Sequence, residues 1–339
     1  MTVYYRPILR SEFTRPNHAI GFANTGLWCH EVEVLSRTAS PEIIPVSDVA
    51  QEVRSEWTRP RARIAGLDFS TPRIMGILNV TPDSFSDGGK FVDPQVAIDH
   101  ATTMATQGAD IIDIGGESTR PGAVEVSIAE EIERTAPVIQ AVSQAIETPI
   151  SIDTRKSSVA KAAVEAGAQV VNDVSGLTFD PTLAEYCASS QAPICIMHTQ
   201  GTPDVMQDNP SYDDVALDVY DFLQTQMTTL IAAGVPKDNI IVDPGIGFGK
   251  TLQHNLALLN RICLFHSLGV PILLGASRKG MIRTIAGAEA AQDRMPGSVA
   301  IALNAVSQGI QLFRVHDVAE TRQAFDLWQS ILKGESYGA

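Results

Sequence analysis

Arg314 and His316 stand two residues apart in IQLFRVHDV (310–318), and the alternation of an extended strand puts both side chains on one face. A guanidinium next to an imidazole suits the oxygens of a pyrophosphate. An outward salt bridge from Arg314 to Asp317 or Glu320 is the plainer alternative. It is opposed by the phase of the strand, which would then turn Val315 inward. Asp153, Asn172, Asp243 and Lys279 form a second group. An aspartate near the end of an apolar run must be solvated, paired or bound to a ligand. One carboxylate can accept two adjacent N–H donors from a heterocycle edge, and a lysine can donate to a ring carbonyl and the nitrogen beside it. A structural Asp–Lys pair satisfies the same residues.

Asn79 opens NVTPDSFSDGG (79–89), a turn-rich string. It reads equally as an exposed loop before a helix or as a lid that carries Asp83, Phe85 and Asp87 into a site. GGESTRPG (115–122) has the same ambiguity; it offers Glu117 and Thr119, and Arg120 adds a candidate anion ligand. GIGFGKT (245–251) invites comparison with a phosphate loop but fails it, because the position five residues before Gly249 is Pro244. Lys250 is then structural or at a rim. His198 reads as a satisfied structural histidine, with Met197 beside it as a lining residue of the heterocycle slot.

These residues share one position: each closes a short apolar run. The runs are RIMGILNV (73–80), ADIIDIGG (109–116), PISIDT (149–154), QVVNDVS (169–175), APICIMHT (192–199), IIVDPGIGF (240–248), PILLGAS (271–277) and IQLFRVHDV. Their β-branched content suits strands covered on both faces. Amphipathic stretches separate them, as at 213–233, where Val215, Val219, Phe222, Leu223 and Leu230 fall on one helical face. Gly108, Gly167 and Gly234 are placed as helix C-caps before the next run. Eight strand–helix units predict an α/β fold, a (β/α)8 TIM barrel, whose chemistry gathers at the C-terminal ends of the strands. A doubly wound open sheet is the alternative.

The 339 residues are 44 % hydrophobic, 19 % charged and only 6 % aromatic, so the core is aliphatic and large, as parallel strands under helices require. A net charge of −14 argues against nucleic acid and anionic membranes as partners. The four cysteines have no CxxC spacing, which suggests neither a zinc site nor a redox pair and fits a reducing cytoplasm. Residues 1–72 hold eight basic and eight acidic residues, which places the whole net charge in 73–339. Within them VYYRPILR and WCHEVEVLSR read as short strands, predicting an N-terminal extension with a small hairpin packed on the barrel. MTVYYRPILR lacks the apolar stretch of a signal peptide, and no run is long enough to span a membrane.

The strings NVTPDSFSDGG, GGESTRPG, DPGIGFGK (243–250), SRKG (277–280) and RVHDV (314–318) closely resemble dihydropteroate synthase, in family order over about 73–333. The resemblance implies a transferase that joins 6-hydroxymethyl-7,8-dihydropterin pyrophosphate to 4-aminobenzoate with Mg2+, acts as a homodimer and is a sulfonamide target. It implies that Asp153, Asn172, Met197, Asp243, Phe248 and Lys279 bind pterin. Asn79, Thr119, Arg120, Arg314 and His316 would bind pyrophosphate, with Asn79 also on the metal. Phe85, Thr119, Pro121, Phe248, Ser277 and Lys279 would frame the aminobenzoate. Asp153, Asp87, Lys279, Arg314 and His316 would carry the catalysis, and Arg278 would support the closed loops. Gly280 and Thr199 depart from common family residues, Ser and Met, which puts affinity on the aminobenzoate side in question. A non-catalytic pterin-binding paralogue and a pterin-dependent methyltransferase are the other functional readings.

Overall fold

The computed structural model describes residues 2–81, 94–118, 122–201 and 205–334. The chain begins with β1 (Tyr4–Pro7), β2 (Ile20–Gly21), β3 (Trp28–Cys29), β4 (Glu31–Leu35), β5 (Glu42–Pro45) and α1 (Gln51–Thr58). β1, β4 and β5 form an antiparallel sheet in that order, with Tyr4 opposite Leu35 and Glu31 opposite Pro45. The two expected strands are there. The third, β5, was not legible: it is a largely exposed edge strand that ends in proline, and so lacks an apolar alternation. One face of this region buries Phe22, Leu27, Val32 and Trp57 in a cluster of its own. The sheet is tied down by Tyr4, whose hydroxyl donates to Asp221 at 2.9 Å, and by Arg37, which pairs with Asp218 and Asp221 at 2.6 and 2.7 Å.

Then come β6 (Arg73–Asn79), α2 (Pro94–Thr106), β7 (Ile111–Gly115), α3 (Ile128–Ala145), β8 (Ile150–Asp153), α4 (Ser157–Glu165), β9 (Val170–Asp173), α5 (Thr182–Ser190), β10 (Ile194–Met197), α6 (Val215–Ala233), β11 (Ile240–Asp243), α7 (Leu252–Asn260), β12 (Leu273–Leu274), α8 (Gly280–Ala286), α9 (Met295–Ser307), β13 (Leu312–Val315) and α10 (Val318–Lys333). β6 to β13 form one parallel sheet in the order β11-β10-β9-β8-β7-β6-β13-β12. Its two ends meet where Val242 bridges Ile272, with the Val242 amide donating to Pro271 O at 3.1 Å. The sheet thus closes into the expected barrel with helices outside. α6 starts where its capping says it should: Asp214 accepts from the amides of Ala216 and Leu217. Gly234 ends it in the left-handed region, at φ 106°.

Period-two alternation divides each strand between two cores. One phase packs outward under the helices, as with Ile74, Ile112 and Val242. The other points inside, where Met75, Ile111, Val170, Cys195, Ile241, Leu273 and Leu312 meet. Ile64, Leu67 and Phe69, on the segment leading into β6, join that inner cluster and plug the N-terminal mouth of the barrel. Phe69 is 1 % exposed, so Phe69→Ala is expected to lower stability by roughly 3–5 kcal/mol. The plug lies at the end opposite the polar strand termini, so substrate KM values should hold. Denaturation midpoints and steady-state kinetics check this, and an unchanged midpoint would refute the plug.

Candidate active site

The site follows from the inner phase by moving two residues along seven of the eight strands; β6 passes only from Met75 to Ile77. Ile111 gives way to Asp113, Ser151 to Asp153, Val170 to Asn172, Cys195 to Met197, Ile241 to Asp243, Leu273 to Gly275 and Leu312 to Arg314. A floor that is apolar apart from Ser151 thus gives way to a layer holding Asp113, Asp153, Asn172, Asp243 and Arg314, at the C-terminal ends of the strands.

Arg314 is the hub of that layer. Its Nε donates to Asp113 Oδ2 at 2.6 Å and one Nη to Asp153 Oδ2 at 2.8 Å. It faces the barrel interior, as its phase with Val315 requires; Val315 is buried on the helix side. Burial opposes its charge, but Asp113 and Asp153 outweigh it and hold its pKa above the ordinary value. Asn172 joins the same group, donating to Asp113 Oδ2 at 3.2 Å. Burial, with Asp113 adding to it and Arg314 opposing, raises Asp153 to about 7. Asp113 was missed in the sequence because it sits between isoleucines within an apolar run. Its phase was the available signal, since it lies two residues beyond an inward Ile111. It is fully buried, and its Oδ1 has no hydrogen-bond partner.

Asp243 faces this group from the opposite wall. Its Oδ1 accepts from the Gly245 amide at 2.7 Å. A Cβ at Gly275 would sit 3.7 Å from its Oδ2 and 4.0 Å from Arg314 Cβ, so the glycine leaves the carboxylate's face clear. Lys279 Nζ lies 4.1 Å from the centroid of the Phe248 ring. Burial and Arg314 push Lys279 down to about 8, against Asp243 and Asp153.

Burial raises Asp243 from 3.8 to about 6, against the Gly245 amide and the nearby lysines. A carboxyl whose pKa is higher folded than unfolded favours the folded state while protonated. Its contribution is intact below about 3.8 and is lost as pH rises through about 6. Asp243→Asn keeps an acceptor for Gly245 and removes the charge, so it should raise the melting temperature of the ligand-free protein at pH 8. The gain should vanish near pH 4. Melts that coincide at pH 8 would contradict this.

At the rim, Ser277 Oγ lies 3.0 Å from His316 Nδ1 and accepts from the His316 amide at 3.2 Å. The hydroxyl hydrogen is then free to serve Nδ1, which leaves Nε2–H of His316 as a donor. Burial, with Arg278 and Arg314 next, lowers His316 to about 4, so it is neutral in the ligand-free protein. Arg278 has φ 55° and is paired with Asp317. Asn79 ends β6, partly buried. Met197 ends β10, buried. Gly280 begins α8, and a Cβ there would meet nothing within 4 Å. Thr199 Oγ1 is 3.5 Å from Gly201 O.

One expectation is corrected. Glu117 is not a free strand-end ligand: one oxygen takes Arg155 at 2.8 Å, and the other takes Lys156 at 3.2 Å and the Val126 amide at 2.9 Å. Of the two readings of Lys250, the structural one holds: it is buried, and its Nζ is 2.9 Å from Nδ1 of His198, which is satisfied as expected. Asp83, Phe85, Asp87, Thr119, Arg120 and Pro121 lie outside the described residues.

Residues 75–316 match the family model described as "Pterin binding enzyme". Dihydropteroate synthase of Escherichia coli (strain K12) is 44 % identical over 274 residues, 81 % of this chain and 96 % of that protein. A crystal structure of Yersinia pestis dihydropteroate synthase with a sulfonamide drug complex superposes with a TM-score of 0.76 at 45 % identity, covering 80 % of this chain and 98 % of that one. A Xanthomonas albilineans dihydropteroate synthase with 4-aminobenzoic acid gives 0.75 at 44 % identity, with the same coverage. A closed barrel with a carboxylate–arginine–lysine layer at its strand ends, matched along nearly the full length of such relatives, places this chain in the dihydropteroate synthase family of pterin-binding enzymes.

Proposed function

We propose that this polar layer is where the chain condenses 6-hydroxymethyl-7,8-dihydropterin pyrophosphate with 4-aminobenzoate, giving 7,8-dihydropteroate and pyrophosphate in folate biosynthesis. The observation that carries the reading is the gathering of Asp243, Asp153, Asn172 and Arg314 in one layer at the strand ends, with Lys279 held against Phe248 beside it. Asp243 would accept the adjacent N–H donors of the pterin edge, and Lys279 would donate to its ring carbonyl and nitrogen. Asp153, Asn172 and Met197 would complete the slot. Arg314 and His316 Nε2–H would meet pyrophosphate oxygens with Thr119 and Arg120. Phe85, Thr119, Pro121, Phe248, Ser277 and Lys279 would frame the amine.

In this mechanism the C–O bond to pyrophosphate breaks first, and the leaving group's charge is neutralised by Arg314. The dihydropterin ring delocalises the resulting cation, and Asp153 stabilises it beside the ring N–H, joined by Asp87. The aryl amine then forms the C–N bond and sheds a proton. Mg2+ fits as a guest of the substrate. Among the described residues no cluster of three or more His, Cys, Asp or Glu side chains could hold a metal, while the neutral amide oxygen of Asn79 suits an ion that keeps waters and phosphate oxygens as its other ligands. When bound, it supplies further charge neutralisation to the departing pyrophosphate.

Residues 73–339 form the catalytic barrel in this reading and residues 1–72 an appendage to it. The enzyme works as a cytoplasmic homodimer; among the described residues no helix is long and apolar enough to cross a membrane. The test is an assay for dihydropteroate and pyrophosphate release with both substrates and Mg2+. Pterin binding without product would instead make the chain a binding subunit. A sulfonamide should compete with 4-aminobenzoate and leave pterin binding intact; inhibition purely non-competitive with 4-aminobenzoate would count against the amine slot.

A further inference from the structure

Lys250, in the glycine turn between β11 and α7, and His198, the residue after β10, have no part in the reaction as derived so far. Gly245, Gly247 and Gly249 all lie in the left-handed region, at φ 71°, 83° and 59°. The turn runs directly against the end of β10: a Cβ at Gly245 would fall 1.9 Å from His198 O, and one at Gly249 2.6 Å from Gln200 O. Only glycine allows both the fold of the turn and this approach.

Side chains from four directions then fix the turn. Gln207 Nε2 donates to Gly247 O at 2.7 Å and Tyr212 Oη to Gly249 O at 2.7 Å. Asn255 Oδ1 accepts from the Gly247 amide at 2.7 Å. Lys250 Nζ donates to Phe248 O at 2.9 Å and to His198 O at 3.3 Å, and it lies 2.9 Å from His198 Nδ1. Burial lowers Lys250 to about 7, against Asp243; as an ammonium it donates to Nδ1 and as an amine it accepts from it, so the contact holds in either state. Burial, then Lys250, pushes His198 down to about 2, so its imidazole is neutral. The polar contacts of Lys250 Nζ among the described residues are thus two carbonyls and an imidazole. A lysine buried among carbonyls and an imidazole is costly to charge, so all three of these contacts are needed to hold it there.

The turn presents Phe248, whose ring lies under Lys279 Nζ, and Gly247, where a Cβ would come within 3.2 Å of Lys279 Cδ. We propose that Lys250 is a positioning residue: by bridging His198 to the Phe248 carbonyl, it holds the Phe248 ring against Lys279 and so shapes the amine side of the pocket. This rests on the assignment of Phe248 and Lys279 to the site.

A double-mutant cycle tests it. Phe248→Leu, Lys250→Met and the double variant are compared by kcat/KM for 4-aminobenzoate at saturating pterin substrate and Mg2+, with melts to confirm folding. Loss of the aromatic face should lower kcat/KM about fivefold in the otherwise native enzyme. In the Lys250→Met background, where the ring is no longer held, the same change should cost less than about twofold. Equal factors in both backgrounds would overturn the proposal, because a purely structural lysine gives additive losses. No effect of Phe248→Leu in the native background would remove Phe248 from the site and the proposal with it. If Lys250→Met does not fold, Tyr212→Phe, which frees Gly249 O, takes its place in the cycle. Weaker coupling of the same sign is then expected, and full additivity overturns the proposal.

Discussion

Arg314→Met is expected to destabilise the protein by roughly 3–5 kcal/mol and to abolish measurable turnover. The guanidinium is the shared cation of Asp113 and Asp153, both buried, at 2.6 and 2.8 Å. Methionine fills similar space but leaves both carboxylates without their counter-charge. The loss of stability should be greatest at high pH and should narrow as pH falls toward about 7, because without Arg314 Asp153 takes up its proton at a higher pH than in the native protein. A second change, Asp113→Asn on the Arg314→Met background, should recover part of the lost stability and none of the activity. Denaturant midpoints of the two variants at pH 5 and pH 8 check this. A deficit independent of pH would mean that Arg314 acts through packing and not as the cation of this layer.

Asp243→Ala is expected to weaken pterin binding by roughly 2–4 kcal/mol, about thirtyfold to a thousandfold, because the ring's donors lose their charged acceptor. The Gly245 amide loses its partner as well, so a small movement of the turn should follow. Titration of the folded variant with a pterin ligand reads the effect, and near-native affinity would refute the assignment of Asp243. Asp243→Asn should also lose pterin affinity while it gains stability at pH 8. Holding an ionised carboxylate in a buried slot is thus a strain that the ligand-free fold carries for the sake of its ligand.

Most of the barrel was legible because parallel strands covered on both faces read as short β-branched runs. Boundaries were less so: PILLGAS yields only Leu273–Leu274 as regular strand, because the chain leaves the ladder at Gly275 and turns at Ser277 and Arg278. Site residues at the last position of a run, such as Asp153, Asn172 and Asp243, stood out as polar ends. Asp113 did not, since two more strand residues follow it and it reads as an interruption of the core. Glu117 and Lys250 were ambiguous for another reason. Whether a charged side chain turns to a ligand or to a buried partner depends on residues far away in sequence, Arg155 for the first and His198 for the second. No local spacing encodes that choice.

The seam of the barrel has one more consequence. β12 contributes two residues to the ladder, and the ring is completed by a lone bridge from Val242 to Ile272. A ring closed so thinly should breathe there first, so amide hydrogens around 272–274 and 242–243 should exchange with solvent ahead of those in β7 to β9. Asp243 stands at the end of one lip of this seam, and Lys279 follows the other. A pterin held by both would staple the lips together, and protection from exchange should then spread across the seam as the slot fills.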